Sequence, residues 1–175
     1  RSALQSFMAN ARIEVPWAES LEDQQVRILE DLRGVISGDI LVDDLSRAAY
    51  STDASILQVT PAAIVAPRSL EELSQVVKYA ADAGLALHAR GAGTGLAGES
   101  LGSGLMIDTS RYLNRILQVG RNTTHVEPGV LLSALQATLA TKGRMFGPDP
   151  VSGDRCTIGG MLATDAAGPH SLRYG

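Results

Sequence analysis

Residues 90–104, RGAGTGLAGESLGSG, constrain this chain more than any other stretch. Six of the fifteen are glycine, at 91, 93, 95, 98, 102 and 104, with no proline and only Leu96 and Leu101 as large apolar side chains. Glycine loses more conformational freedom on folding than any other residue, so such density implies positive φ angles or a ligand pressed on bare main chain. Successive exposed N–H groups form a concave nest of partial positive charge that suits a phosphate. A flexible linker would be diluted with serine and charge, and would not join two strand-like apolar runs as this stretch joins 85–89 to 105–108. The pattern reads as a phosphate cradle.

The flanking sequence alternates strand and helix. Residues 63–66 form a short apolar run closed by Pro67. Ser69 with Glu72 three positions on makes a capping box, and Leu70, Leu73, Val76, Val77 and Ala80 mark the helix face that ends at Gly84. Residues 85–89 and 105–108 supply two more strands. A parallel pair joined by this helix would place the glycine loop at the carboxyl edge of the sheet, where α/β folds bind ligands. Upstream, Ser20 and Asp23 open a helix with Leu21, Val26, Leu29, Leu32 and Ile36 on one face, ending near Gly38. The acids Asp39, Asp43, Asp44 and Asp53 lack EF-hand spacing and read as solvated loop charges. Downstream, residues 116–119 and 124–127 form a hairpin around GRNT. A helix over 131–142 follows, with Leu131, Ala134, Leu135, Thr138 and Leu139 facing inward and Gly143 as its stop. A second glycine and proline cluster, GPDPVSGDRCTIGG, occupies 147–160.

Two phosphate motifs can be weighed. Gly93, Gly95 and Gly98 satisfy GxGxxG after a strand, but residues 99–104 continue as loop instead of opening a helix, and no acid stands about twenty residues on to take a ribose hydroxyl. A Walker loop needs a lysine, and the stretch has none. Composition narrows the partners. The net charge is −4, and the thirteen arginines and two lysines are scattered, which argues against a nucleic-acid footprint. No apolar run approaches the ~18 residues of a membrane span. The single cysteine, Cys156, excludes an internal disulfide and a local zinc cluster and fits a reducing compartment. The chain opens on Arg1, and residues 1–13 hold two arginines, two serines and no acid, which reads as a transit peptide or a mobile arm.

Four ordered motifs carry a resemblance: RGAGTG at 90–95, EPG at 127–129, GPDP at 147–150 and CTIGGMLATDAAGPHSLRYG at 156–175. Together they resemble the FAD-binding module of the vanillyl-alcohol oxidase, or PCMH-type, flavoproteins, in the branch of the FAD-linked oxidases. The resemblance covers residues 60–175. More softly, YSTDASILQVTPAAIVAPRS at 50–69 is similar to long bacterial members in which the flavin module is fused to an iron–sulfur part.

The resemblance implies an α+β fold of two subdomains: a small parallel βαβ unit over 60–114 and a mixed, antiparallel unit over 115–175 that is incomplete at its C-terminal end. Residues 1–59 form an N-terminal helical arm and lead-in segment. FAD, held without a covalent tether, lies extended between the halves. Gly91, Ala92, Gly93, Thr94 and Gly95 offer main-chain donors to the pyrophosphate, with Arg90 at the root of the loop and Ser100 adding a hydroxyl. Pro148 and Asp149 line the cofactor, and the bend at Thr157, Ile158, Gly159 and Gly160, followed by Ala163, Asp165 and Gly168, runs along the ribityl chain and isoalloxazine. For Gly159 and Gly160, close helix-to-sheet packing is the competing role. Thr94 stands where tethered relatives carry a histidine. Cys156 reads as an inert buried thiol, His88 and His125 as structural, and His170 as a candidate neighbour of the ring.

The implied activity is oxidation of a small 2-hydroxy acid, such as glycolate, D-lactate or D-2-hydroxyglutarate, as part of a longer enzyme. A missing C-terminal domain would bind that substrate, and a downstream iron–sulfur domain or subunit would accept electrons. The chain alone is expected to be inactive, with no catalytic residue or metal of its own, in a cytoplasmic protein that can sit at the inner membrane. An enolpyruvyl-UDP-sugar reductase of the same fold and a non-catalytic nucleotide-phosphate binding module stand as alternatives.

Overall fold

The computed structural model describes residues 20–174; the reading of residues 1–13 as a transit peptide or arm lies outside them. Helix α1 (Leu21–Leu32) opens on the cap read from sequence. The Ser20 hydroxyl accepts the Asp23 N–H at 3.1 Å and donates to the Asp23 carboxylate at 2.7 Å. The helix stops at Arg33, well before Gly38, in a turn where the Ile36 N–H still reaches the Leu32 carbonyl. Its buried face is Ile28 and Leu32, continued by Ile36, while Leu21 and Val26 are exposed. The helix carries more than one apolar stripe, and the sheet selects the one that also lets Gln25 donate to the Ala62 carbonyl at 3.1 Å.

The sheet is built from β1 (Asp39–Leu41), β2 (Ala63–Ala66), β3 (Leu87–Arg90) and β4 (Leu105–Asp108) in the order β1-β2-β4-β3. β1 runs antiparallel to β2, and β2, β4 and β3 are mutually parallel. The strands joined by helix α3 (Leu70–Asp82) are therefore not neighbours, contrary to a simple parallel pair. β4, entering from the glycine loop, lies between them. Its four residues LMID are all buried, as a strand covered on both faces requires. Ser69 caps α3, but only Val76 and Ala80 of the expected face are fully buried; Leu70 and Val77 stay exposed.

The period-2 alternation of the strands decides what faces the site. Ala63, Val65, Leu105 and Ile107 pack with Ile28, Leu32, Val76 and Ala80 on the helical side. Register pairs His88 with Met106 and Arg90 with Asp108, so these point to the opposite face. There lie helix α2 (Asp44–Ala49) and the glycine loop: Tyr50 donates to Asp108 at 2.5 Å, and Gly102 rests against the His88 ring. The acids of residues 39–60 are employed singly. Asp39 accepts from Arg111 at 2.5 Å and Tyr112 at 2.9 Å, and Asp43 caps α2. Among the described residues, no group of three or more acids, histidines or cysteines is placed to hold a metal.

The second half has its own core. The hairpin of β5 (Ile116–Val119) and β6 (Thr124–Val126) packs with helix α4 (Leu132–Ala140) and helix α5 (Ile158–Ala163) around Val130, Leu135, Leu139, Cys156, Ile158 and Met161. Leu131 is the N-cap of α4 and 40% exposed; Leu132 takes the inward place expected of it. A short helix α6 (Ser171–Tyr174) closes the described chain. Among the described residues, no helix is long and apolar enough to cross a membrane.

Glu127, buried where the hairpin leaves β6, accepts the Arg115 N–H at 2.7 Å and its guanidinium at 2.6 Å. The hydrogen bonds from Arg115 hold this carboxyl below its ordinary range. An unfolded glutamate titrates near about 4.3. The pair's contribution is complete above that value and is lost as pH falls through the lower folded value, because the unfolded chain takes the proton first. Urea midpoints should therefore fall more steeply on acidification in the natural protein than in Glu127→Gln. Parallel slopes would show that the pair contributes nothing.

Candidate functional site

The glycine loop leaves β3 at its carboxyl end and returns to the amino end of β4. Two features shape its first turn. Gly93 has φ +64, which favours glycine, and a methyl there would lie 2.5 Å from the Arg90 guanidinium. Gly95 is covered by Glu99, which folds back so that its carboxylate accepts the Ala97 N–H at 3.0 Å and fills the place of a Gly95 side chain. Within the described residues, the main-chain N–H groups of Ala92, Gly93, Thr94 and Gly95 donate to no protein acceptor. Four consecutive free donors are what an oxyanion needs.

Helix α5 forms the opposite wall. Sequence reasoning took residues 157–160 as a bend; they are the cap and first turn of a helix. The Thr157 hydroxyl accepts the Gly160 N–H at 3.3 Å. Asp165, at φ +49, ends the helix, with the Ala166 N–H returning to the Met161 carbonyl at 2.9 Å. Thr157, Gly160, Met161 and Thr164 follow helical spacing and share one face. The two walls meet at Gly91, where a methyl would lie 2.2 Å from the Thr157 hydroxyl.

Between them runs a groove enclosing about 150 Å³, lined by Gly91, Ala92, Gly93, Thr94, Gly95 and Ser100 on one side and by Thr157, Gly160 and Ala163 on the other. A second hollow of about 620 Å³ shares Ala92, Gly93, Thr94, Pro150 and Ser152 with it and reaches Asp53, Ala54, Leu96 and Arg155. The two glycine clusters therefore face one another across the first groove.

Seven of the residues singled out from sequence do not line the groove. Arg90 lies behind the loop. Pro148 and Asp149 stand outside; Asp149 receives the His170 ring and abuts Gly168. The hydrogen bond from His170 lowers the Asp149 carboxyl from its ordinary value. Ile158 is in the core, and Gly159 packs on Pro128, where a methyl would come within 2.6 Å, so close packing is its role. Asp165 and Gly168 shape turns. Conversely, Glu99, Pro150, Ser152, Cys156, Met161, Thr164 and Ala166 line the groove and were missed. Helical periodicity through 157–164 would have found Met161 and Thr164.

No lysine or arginine lines the first hollow, while the second holds Arg155 and Asp53. Asp53 accepts from the Ser55 N–H at 2.8 Å and the Ser100 hydroxyl at 3.3 Å. Burial pushes the Asp53 carboxyl up, but these bonds outweigh it and leave it below its ordinary value. An anion in the first hollow would be met by main-chain dipoles. Burial raises the Cys156 thiol. A raised thiol is less often thiolate and this one is buried, so modification by a disulfide reagent should run slower in the folded chain than in denaturant. It should slow further when the groove is filled. Equal rates would place Cys156 elsewhere.

The profile of a family described as FAD binding domain matches residues 61–175. D-2-hydroxyglutarate dehydrogenase of Pantoea ananatis is 36% identical over 168 residues, which are 93% of this chain and 16% of that protein. Glycolate oxidase subunit GlcD of Bacillus subtilis is 32% identical over 146 residues, 80% of this chain and 31% of that subunit. A solved structure of alkyldihydroxyacetonephosphate synthase superposes with TM-score 0.74 at 25% identity, covering 90% of this chain and 34% of that one. The chain thus spans about a sixth of the first relative's length.

Proposed function

The chain belongs to the FAD binding domain family, and from that premise we propose that its groove holds FAD without a covalent tether, as the flavin-binding part of a dehydrogenase for a small 2-hydroxy acid. The observation that carries this reading is the free run of N–H groups from Ala92 to Gly95, facing α5 across the groove. Residues 60–114 and 115–175 act as its two lobes.

The residues present fit the cofactor. The Ala92, Gly93, Thr94 and Gly95 amides would hold the diphosphate, with Ser100, whose hydroxyl donates to Asp53, lining the groove beside them. Gly160 presents no side chain and Ala163 and Thr164 small ones along the far wall, where a flat ring system needs close approach. Met161 and Cys156 give that wall an apolar lining. His88, His125 and His170 do not line the groove, and the raised thiol of Cys156 is a poor nucleophile, which supports non-covalent binding. When bound, FAD supplies the two-electron acceptor; this part of the protein supplies position.

The substrate class is taken from relatives named as D-2-hydroxyglutarate dehydrogenase and glycolate oxidase subunit. An iron–sulfur domain or subunit as electron acceptor, and a cytoplasmic site at or near the inner membrane, extend the reading. They rest on the likeness of residues 50–69 to long bacterial members. Anaerobic mixing of the purified full-length protein with D-2-hydroxyglutarate, glycolate and D-lactate tests the proposal. One of them should bleach the flavin absorbance within seconds, and metal analysis should find iron. A flavin-containing protein that none of the acids reduces would overturn the substrate class; a protein with no flavin and no affinity for FAD would overturn the cofactor site.

A further inference from the structure

We propose that residues 50–55, which lie outside the stretch matched by the FAD binding domain family, are a third wall of the cofactor groove, and that Arg90 is the positioning residue that fastens this wall to the glycine loop. The inference rests on reading the groove as the FAD site.

The segment is tied to the loop at both ends of the free N–H run. At the near end, the Arg90 guanidinium donates to the Thr52 carbonyl at 2.8 Å and the Tyr50 carbonyl at 3.4 Å, and lies 5.4 Å over the Tyr50 ring. At the far end, the Ser100 hydroxyl donates to Asp53. Between them the Ala54 N–H donates to the Gly93 carbonyl at 3.1 Å. That bond has a consequence for the cradle. In a planar trans peptide the carbonyl and the following N–H point in opposite directions, so holding the Gly93 carbonyl toward Ala54 turns the Thr94 N–H away from it. Thr94 is one of the free donors of the groove. The segment therefore aims an amide that the loop, rich in glycine, has no means of aiming by itself.

Strand parity explains why Arg90 does this and does not meet the ligand. It shares a sheet face with Asp108, which accepts from Tyr50, so its side chain is directed to the 50–55 side. Gly93 is at φ +64, and a methyl there would also meet the guanidinium at 2.5 Å and push it from its two carbonyls. A planar fork that satisfies two carbonyls at once is a task for arginine, which lysine performs only in part. Asp53 and Ala54 then line the second hollow of the groove directly.

The test uses the full-length protein stripped of flavin, with FAD affinity read by flavin fluorescence quenching and main-chain hydrogen exchange followed over residues 50–55. FAD should slow exchange of this segment together with residues 92–95. Arg90→Met should weaken FAD binding at least tenfold and abolish the added protection of 50–55, and Arg90→Lys should recover part of both. Unchanged exchange of 50–55 on FAD binding, or Arg90→Met binding within twofold of the natural protein, would overturn the inference while leaving the cofactor site intact. If Arg90→Met does not fold, the exchange result on the natural protein decides alone. A natural protein that binds no FAD at all would remove the premise and this inference with it.

Discussion

Gly91→Ala is expected to weaken FAD binding by about tenfold or more and to lower stability by about 1–3 kcal/mol, the usual cost of overpacking. The added methyl would lie 2.2 Å from the Thr157 hydroxyl and 3.4 Å from its Cβ. Thr157 is 1% exposed and its hydroxyl caps α5, so relief requires moving the wall that carries Gly160, Met161 and Thr164. The effect should depend on Thr157. In a Thr157→Ala background the clashing oxygen is gone and an ordinary 3.4 Å contact remains, at the separate cost of the cap, about 1 kcal/mol. Measured by urea midpoint and flavin quenching on the four proteins of the cycle, the Gly91→Ala penalty should shrink by more than half when Thr157 is alanine. An equal penalty in both backgrounds would mean that the two glycine clusters do not touch here.

Gly129→Ala should be the more damaging for stability, costing about 4 kcal/mol or more out of a total on the order of 5–15 kcal/mol. Its methyl would meet the Thr109 carbonyl at 2.3 Å, the Leu113 carbonyl at 2.7 Å and the Ser110 Cα at 2.8 Å. All three are backbone and cannot rotate aside. The Gly129 N–H also donates to the Leu113 carbonyl at 2.7 Å, so this glycine pins the second lobe to the segment leaving β4. Gly143→Ala is the control. Gly143 has φ +65 with open space around it, so alanine there should cost only the left-handed strain, about 1–2 kcal/mol. At about 2–4 °C per kcal/mol for a chain of this size, the two variants should differ by several degrees in thermal midpoint. Equal midpoints would contradict the close approach at Gly129.

Local elements were legible where propensity, cap and stop agreed. The strands at 63–66 and 105–108, the Ser69 cap and the glycine cradle fall where short-range chemistry puts them. The second wall was misread because glycines at 159 and 160 suggest a bend, and a short capped helix with a glycine pair looks the same in sequence. Thr157 could have signalled the cap. The buried faces of α1 and α3 were misassigned at Leu21, Val26, Leu70 and Val77, because an apolar residue records what can be buried and the neighbouring sheet records what is.

The sequence alone determined that bare main chain is presented at 91–95, and that strands and helices alternate around that cluster. Those features depend on side-chain size and local hydrogen bonding, which act over a few residues. Only the tertiary structure decided that β4 separates β2 from β3, that Arg90 faces away from the groove, and that residues 50–55 aim the Thr94 amide. Each of these follows from strand register and from contacts between segments some forty residues apart, where a one-residue slip would reverse every side chain and no local preference opposes it.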